Sequence, residues 1–167
     1  SPTIICAGSS ATLTGTGAST YTWNPGALTG ATIAVTPTAT TVYSVVGTSA
    51  AGCASPTRTI NLTVTPIPTV TAVSNPTAIC AGSSATLTGS GATTYTWNPG
   101  ALTGTTAVVS PTATTIYTVI GRTGTCSNTS TVSLTVNALP TLTATSNPTV
   151  LCIGNTATLT GSGASSY

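Results

Sequence analysis

One phrase recurs three times along the chain: Cys6-Ala-Gly-Ser-Ser-Ala-Thr-Leu-Thr-Gly15, then Cys80-Ala-Gly-Ser-Ser-Ala-Thr-Leu-Thr-Gly89, then Cys152-Ile-Gly-Asn-Thr-Ala-Thr-Leu-Thr-Gly161. The landmarks hold their offsets. Cys6 to Cys80 (80 − 6) and Trp23 to Trp97 (97 − 23) both span 74 positions, and Cys80 to Cys152 (152 − 80) spans 72. A period this long holds a whole small domain rather than one coil of a solenoid. The repeat divides the chain into 1–68, 69–140 and 141–167, the last being the opening part of a third copy. An array of near-identical units suits spanning distance or presenting many equal surfaces.

Composition favours the same class of function. Asp, Glu, Lys, His, Gln, Phe and Met are absent, and Arg58 and Arg122 carry the only charged side chains. An ordinary soluble domain is roughly a quarter charged. Here the Thr and Ser hydroxyls must wet the surface, and a net charge of +2 over 167 residues gives little colloidal repulsion. Life inside a polymer, under a coat of O-linked glycans on Ser or Thr, or both, is therefore expected. The basic stripe that phosphate backbones require is missing, which excludes nucleic acid as a partner. Nothing in the segment suggests membrane insertion. Arg58 and Arg122 fall at unmatched repeat positions and read as solvated surface residues.

Copies this small bury only about 60% of the surface their unfolded chains expose, so a covalent staple is expected. Each complete copy holds two cysteines: Cys6 and Cys53 in the first, Cys80 and Cys126 in the second. Their near-equal separations predict the bridges Cys6–Cys53 and Cys80–Cys126, each worth roughly 4 kcal/mol by chain entropy. Cys152 is then unpaired by truncation, its partner position falling past the end of the chain. A zinc site needs close Cys/His pairs, and the chain has no CxxC and no histidine. Bridges of this kind imply an oxidising, extracellular compartment.

Apolar residues alternate at period two in Ala11-Thr-Leu13-Thr, Tyr21-Thr-Trp23, Val42-Tyr43-Ser-Val45-Val46 and Ile60-Asn-Leu62-Thr-Val64. These are strands, and no window carries a helical stripe. Asn24-Pro25-Gly26, Thr36-Pro37, Ala51-Gly52 and their counterparts Asn98-Pro99-Gly100, Ser110-Pro111 and Thr123-Gly124 mark turns. Short strands punctuated this often predict an all-β fold of sandwich type. Pro66-Ile-Pro68 and Ala138-Leu-Pro140 lie between copies and stiffen the joints.

A Trp on the third strand (Trp23, Trp97) and a Tyr in a later strand (Ala39-Thr-Thr-Val-Tyr43 and Ala113-Thr-Thr-Ile-Tyr117) resemble the immunoglobulin fold. Val45 and Val119 stand where antibody domains place a cysteine after that Tyr. The phrases Gly-Ser-Ser-Ala-Thr-Leu-Thr-Gly and Tyr-Thr-Trp-Asn-Pro-Gly are similar to the tandem Ig-like or PKD-like repeats of large secreted Bacteroidetes cell-surface proteins. That resemblance implies tandem, disulfide-stapled Ig-like β-sandwich domains in a bacterial stalk, adhesin or filament.

Acid–base catalysis needs carboxylates, His or a perturbed Lys, and a hydroxyl without a base is inert. No catalytic residue, metal or cofactor is expected, because calcium at the joints would want Asp and Glu oxygens. Trp23, Trp97, Tyr43 and Tyr117 are assigned to the core, with the two later tyrosines making a corner hydrogen bond. Repeated Thr-x-Thr pairs such as Thr12/Thr14 and Thr86/Thr88 read as the solvated face of strands before they read as a ligand ladder. The sequons Asn61-Leu-Thr63 and Asn128-Thr-Ser130 are formal matches only.

The leading reading is a non-catalytic structural subunit of an extracellular bacterial filament or cell-surface stalk, partnered by itself as a homopolymer or longer repeat chain. The alternative is a set of multivalent adhesin modules holding a glycan or host surface by avidity. Ser1-Pro2 aligns with the joint at Asn75-Pro76 and Tyr167 with Tyr95, so the third copy stops before its tryptophan. Leu159 therefore needs partners outside the chain, from its continuation or from a neighbouring subunit's strands.

Overall fold

The computed structural model describes residues 3–166, and all regular secondary structure among them is β. Ser1, Pro2 and Tyr167, with the alignments expected of them, lie outside the described residues. The first copy contributes β1 (Ile4–Cys6), β2 (Ala11–Thr14), β3 (Thr20–Asn24), β4 (Leu28–Thr29), β5 (Thr32–Val35), β6 (Thr41–Thr48) and β7 (Arg58–Thr65). The second contributes β8 (Thr71–Asn75), β9 (Ala78–Cys80), β10 (Ala85–Ser90), β11 (Thr94–Asn98), β12 (Leu102–Thr103), β13 (Thr106–Val109), β14 (Thr115–Thr123) and β15 (Cys126–Asn137). The third supplies β16 (Thr143–Asn147) and β17 (Thr158–Ser162).

Residues 71–137 form two sheets, ordered β12-β11-β14-β15-β9 and β13-β10-β8. Alternation aims one face of each sheet inward. Leu87, Ala107 and Val109 from one sheet meet Tyr95, Trp97, Tyr117, Val119 and Leu134 from the other in a single apolar cluster. The arrangement is a β-sandwich with immunoglobulin-type strand order, its tryptophan on the five-stranded sheet's side of the core. The first copy repeats this with β1-β7-β6-β3-β4 facing β2-β5 around Leu13, Trp23, Tyr43 and Leu62. Its sequence equivalents of the second cluster are nearly all present, and each tryptophan donates its indole N–H to a backbone carbonyl, Trp23 to Gly30 at 2.9 Å and Trp97 to Gly104 at 3.0 Å.

Edge strands complete the two sandwiches in different ways. The short strands β1 and β9 pair in parallel with the far ends of β7 and β15, in the registers Cys6↔Thr65 and Cys80↔Asn137. The strand β8 pairs with β10 from Thr86↔Asn75 to Ser90↔Thr71, and the first copy has no counterpart of it among the described residues. The hairpin β16–β17 repeats the β8–β10 ladder over five positions, yet every residue in it is exposed.

Candidate interaction site at the joint between copies

The bridge in this structure joins Cys6 to Cys126, with Cα atoms 5.6 Å apart, and Cys53 and Cys80 are exposed thiols. This corrects the expected Cys6–Cys53 and Cys80–Cys126 pairs. The reason is the direction of the first strand. Cys6 lies beside Thr65, the last residue of β7, whereas Cys53 lies before Arg58, its first residue. Seven strand residues at about 3.3 Å each put the two cysteines at least ~23 Å apart, far beyond the ~7 Å Cα limit of a disulfide. Cys80 beside Asn137 and Cys126 at the start of β15 are separated still further, by ~36 Å along one strand. Each copy thus carries its first cysteine at one end and its second at the other, and the bridge forms across the joint. Cys152 is also an exposed thiol.

Around the bridge the joint is packed and hydrogen-bonded. Cys126 is fully buried and its Sγ lies 3.8 Å from the Thr65 carbonyl oxygen. Asn128 Nδ2 donates to the Pro68 carbonyl at 3.1 Å. Its amide is therefore committed to the joint rather than free for a glycan. Past Pro68 the chain runs into the second sandwich through Val70, which packs on Gly121 and Ala92. A Cβ at Gly121 would stand 2.5 Å from Val70 Cγ2, so glycine is what lets the incoming strand sit so close.

Among the described residues nothing in the first copy stands where β8 stands in the second. Val119 is 0% exposed, but Val45 at the same repeat position is only partly buried. A depression of about 420 Å³ is lined there by Leu13, Trp23, Val45, Arg58 and Ile60. A second of about 270 Å³ adjoins it beside Gly15, Ala18, Tyr21 and Gly47, the counterparts of the residues around Val70. Neither contains an acid, a base or a nucleophile with a base beside it.

The aromatic residues assigned to the core are all there. Trp23, Trp97, Tyr43 and Tyr117 are buried. The corner hydrogen bond expected of Tyr43 and Tyr117 is made instead by Tyr21 and Tyr95. Each phenol oxygen accepts from the backbone N–H three residues earlier, Ala18 or Ala92, at 2.7 Å and donates back to the same residue's carbonyl. Burial raises the Tyr117 phenol above its ordinary 10.0. Arg58 and Arg122 are both exposed. Thr12 and Thr14 point to solvent from β2 while Ala11 and Leu13 point inward, as half-solvated strands require. The cross-joint pairing was the element that spacing alone missed. The signal that could have found it is Ile4-Ile5-Cys6, a short apolar strand that runs straight into the first cysteine and pairs in parallel with the end of the last strand.

No helix among the described residues is long and apolar enough to cross a membrane, and no cluster of three potential metal ligands occurs among them. No family model matches the chain, and no curated protein does. Among solved structures, the amphioxus IgVJ-C2 molecule is 16% identical over 79% of this chain and 99% of its own, with a TM-score of 0.38. Murine CEACAM1b is 12% identical over 83% of this chain and 96% of its own, with a TM-score of 0.42. The four N-terminal Ig domains of Dscam1 isoform 8.4 are 13% identical over 80% of this chain and 42% of theirs, with a TM-score of 0.33. The fold assignment rests on this chain's own strand order and core.

Proposed function

We propose that this chain is a non-catalytic structural segment of an extracellular bacterial filament or cell-surface stalk, built from Ig-like units over 1–68, 69–140 and 141–167. The observation that carries this reading is the Cys6–Cys126 bridge, which crosses the boundary between copies instead of stapling one of them. A covalent bond there fixes the relative placement of neighbours, which a rod needs and an isolated binding module does not. The oxidised bridge fits an extracellular site, and the uncharged, hydroxyl-rich surface fits O-glycans on Ser or Thr or burial within an assembly. No cofactor is required. Adhesion by many weak contacts is the competing function, but the aromatic side chains that would stack on sugars are committed to the two cores.

The test is to isolate the native assembly from the cell surface and image it. The expected result is a fibre of regular beads in the repeat order of this sequence, with extra density on Ser or Thr oxygens and an intact mass above that of the polypeptide. Protein recovered as dispersed monomers that bind a glycan array through these units would overturn the structural reading.

A further inference from the structure

We infer that Thr38 and Thr112 are acceptor sites for O-linked sugar, and that the proline before each is what the glycosyltransferase reads. This deepens the glycan part of the proposed function and rests on it. The two threonines occupy the same repeat position, in the phrases Pro37-Thr-Ala-Thr-Thr41 and Pro111-Thr-Ala-Thr-Thr115. Both are exposed and both lie outside the strands.

The turn that carries each threonine is tied down on either side of it. The Pro37 carbonyl accepts the Gly8 N–H at 3.0 Å, and the Pro111 carbonyl accepts the Gly82 N–H at 3.1 Å. The Ala39 and Ala113 carbonyls accept the hydroxyls of Thr41 and Thr115, both at 2.7 Å. The Thr40 and Thr114 hydroxyls accept the backbone N–H groups of Val64 and Val136, at 3.0 and 2.9 Å. Two of the three threonine hydroxyls in each turn are thus consumed by the fold, and the third, on Thr38 or Thr112, has no partner among the described residues. A free hydroxyl on a fixed turn reaches an enzyme with little ordering left to be done.

A second observation picks out the same dipeptide. Of the six prolines in residues 1–68, four are followed directly by threonine (Thr3, Thr38, Thr57 and Thr69), where threonine's share of the chain, about a quarter, would give one or two. All four of these threonines are exposed and none lies in a strand. Proline fixes φ and lacks the N–H that a sheet ladder would use, and Pro-containing segments of this kind are what recognition grooves bind. Strand threonines offer less. Thr22 lies on the outer face between Thr29 and Val46, and Thr96 between Thr103 and Ile120, with cross-strand neighbours about 5 Å away on both sides. An active site that must enclose its acceptor has no room there.

The chain has no carboxylate, His or Lys to act as a base, so the catalysis belongs to the transferase. The threonine Oγ attacks the anomeric carbon of a glycosyl phosphate donor while a base of that enzyme takes the hydroxyl proton. The new C–O bond forms as the bond from the same carbon to the phosphate oxygen breaks, and the electron pair leaves on the phosphate. One sugar per copy at a matching place spreads a hydrophilic coat evenly along an array that has almost no charge.

The test maps glycopeptides of the native protein, purified from the cells that make it, with fragmentation that keeps each sugar on its residue. The expected result is sugar on Thr38 and Thr112 at higher occupancy than on Thr22 and Thr96. Made in the same cells, Pro37→Ala lowers occupancy of Thr38 about ten-fold or more, while Thr112 in the same molecule keeps its sugar. Bare Thr38 and Thr112, phosphate in place of sugar, occupancy of Thr22 and Thr96 as high as theirs, or an undiminished Thr38 in Pro37→Ala overturns the assignment. The map of the native chain decides by itself if that variant fails to fold. Bare native fibres would sink the assignment and leave the filament reading standing, whereas dispersed protein with sugar on both threonines would support the assignment and sink the filament.

Discussion

Alanine at Gly121 tests how closely the strand entering from the joint is held. The added Cβ would stand 2.5 Å from Val70 Cγ2 and 2.8 Å from Ala92 Cβ, inside van der Waals contact with both. Overpacking of this sort costs about 1–3 kcal/mol, and the reduced freedom of the unfolded chain returns about 0.4–1 kcal/mol. The net cost is about 1–2 kcal/mol, which lowers the melting midpoint by about 2–8 °C for a chain of this size. Val70→Ala alone removes two buried methyl groups at about 0.8 kcal/mol each. It also removes the nearest atom that the Gly121 methyl would strike, so the double variant should be more stable than the sum of the singles by at least about 0.5 kcal/mol. Urea unfolding followed by Trp97 fluorescence in a Trp23→Phe background reads the second core directly. Strict additivity of the two substitutions would refute the placement of Val70 as the plug over Gly121.

Leu87→Ala should cost about 2–5 kcal/mol in denaturant unfolding because Leu87 is fully buried, whereas Leu159→Ala, at the same repeat position but 80% exposed, should stay within about 0.5 kcal/mol in the monomer. The raised Tyr117 phenol means that the folded state holds its proton more tightly than the unfolded state. That contribution is complete below pH 10.0, the ordinary value, and is lost as pH rises through the folded one. Melting curves across this alkaline range should fall more steeply for the native chain than for Tyr117→Phe, and equal slopes would show that burial does not govern the group. Cys126→Ser should loosen the joint and leave both cores intact, so solution scattering broadens while Trp97 emission holds; a shifted emission would mean that the bridge supports the core itself.

Much of this architecture was legible because it follows from local chemistry. Period-two alternation around Leu13, Tyr21 and Trp23 determines which face is buried, and the Asn-Pro-Gly turns at 24–26 and 98–100 fall where they were expected. The bridge was not legible, because equal spacing within a copy says nothing about which end of a sheet each cysteine occupies. That depends on β1 pairing in parallel with the last strand, a long-range choice that places Cys6 beside Thr65. The corner tyrosine was misassigned for a related reason. Tyr21 and Tyr43 both project into the core, and only the bend at Ala18 brings backbone groups within reach of Tyr21's phenol.

The Cys6–Cys126 bond also decides how the molecule carries tension. Pulled from its two ends, force enters through the strand at Ile4–Cys6, crosses the sulfurs, and leaves along β15 toward Asn137. The segment between the two cysteines is mechanically short-circuited, and the load falls on β1, whose Ile5 belongs to the first core, and on β15, whose Leu134 belongs to the second. With a separation of 120 positions, the bond withholds about 400 Å of extensible chain at roughly 3.4 Å per residue. In single-molecule pulling, that length should appear only after a reductant is added.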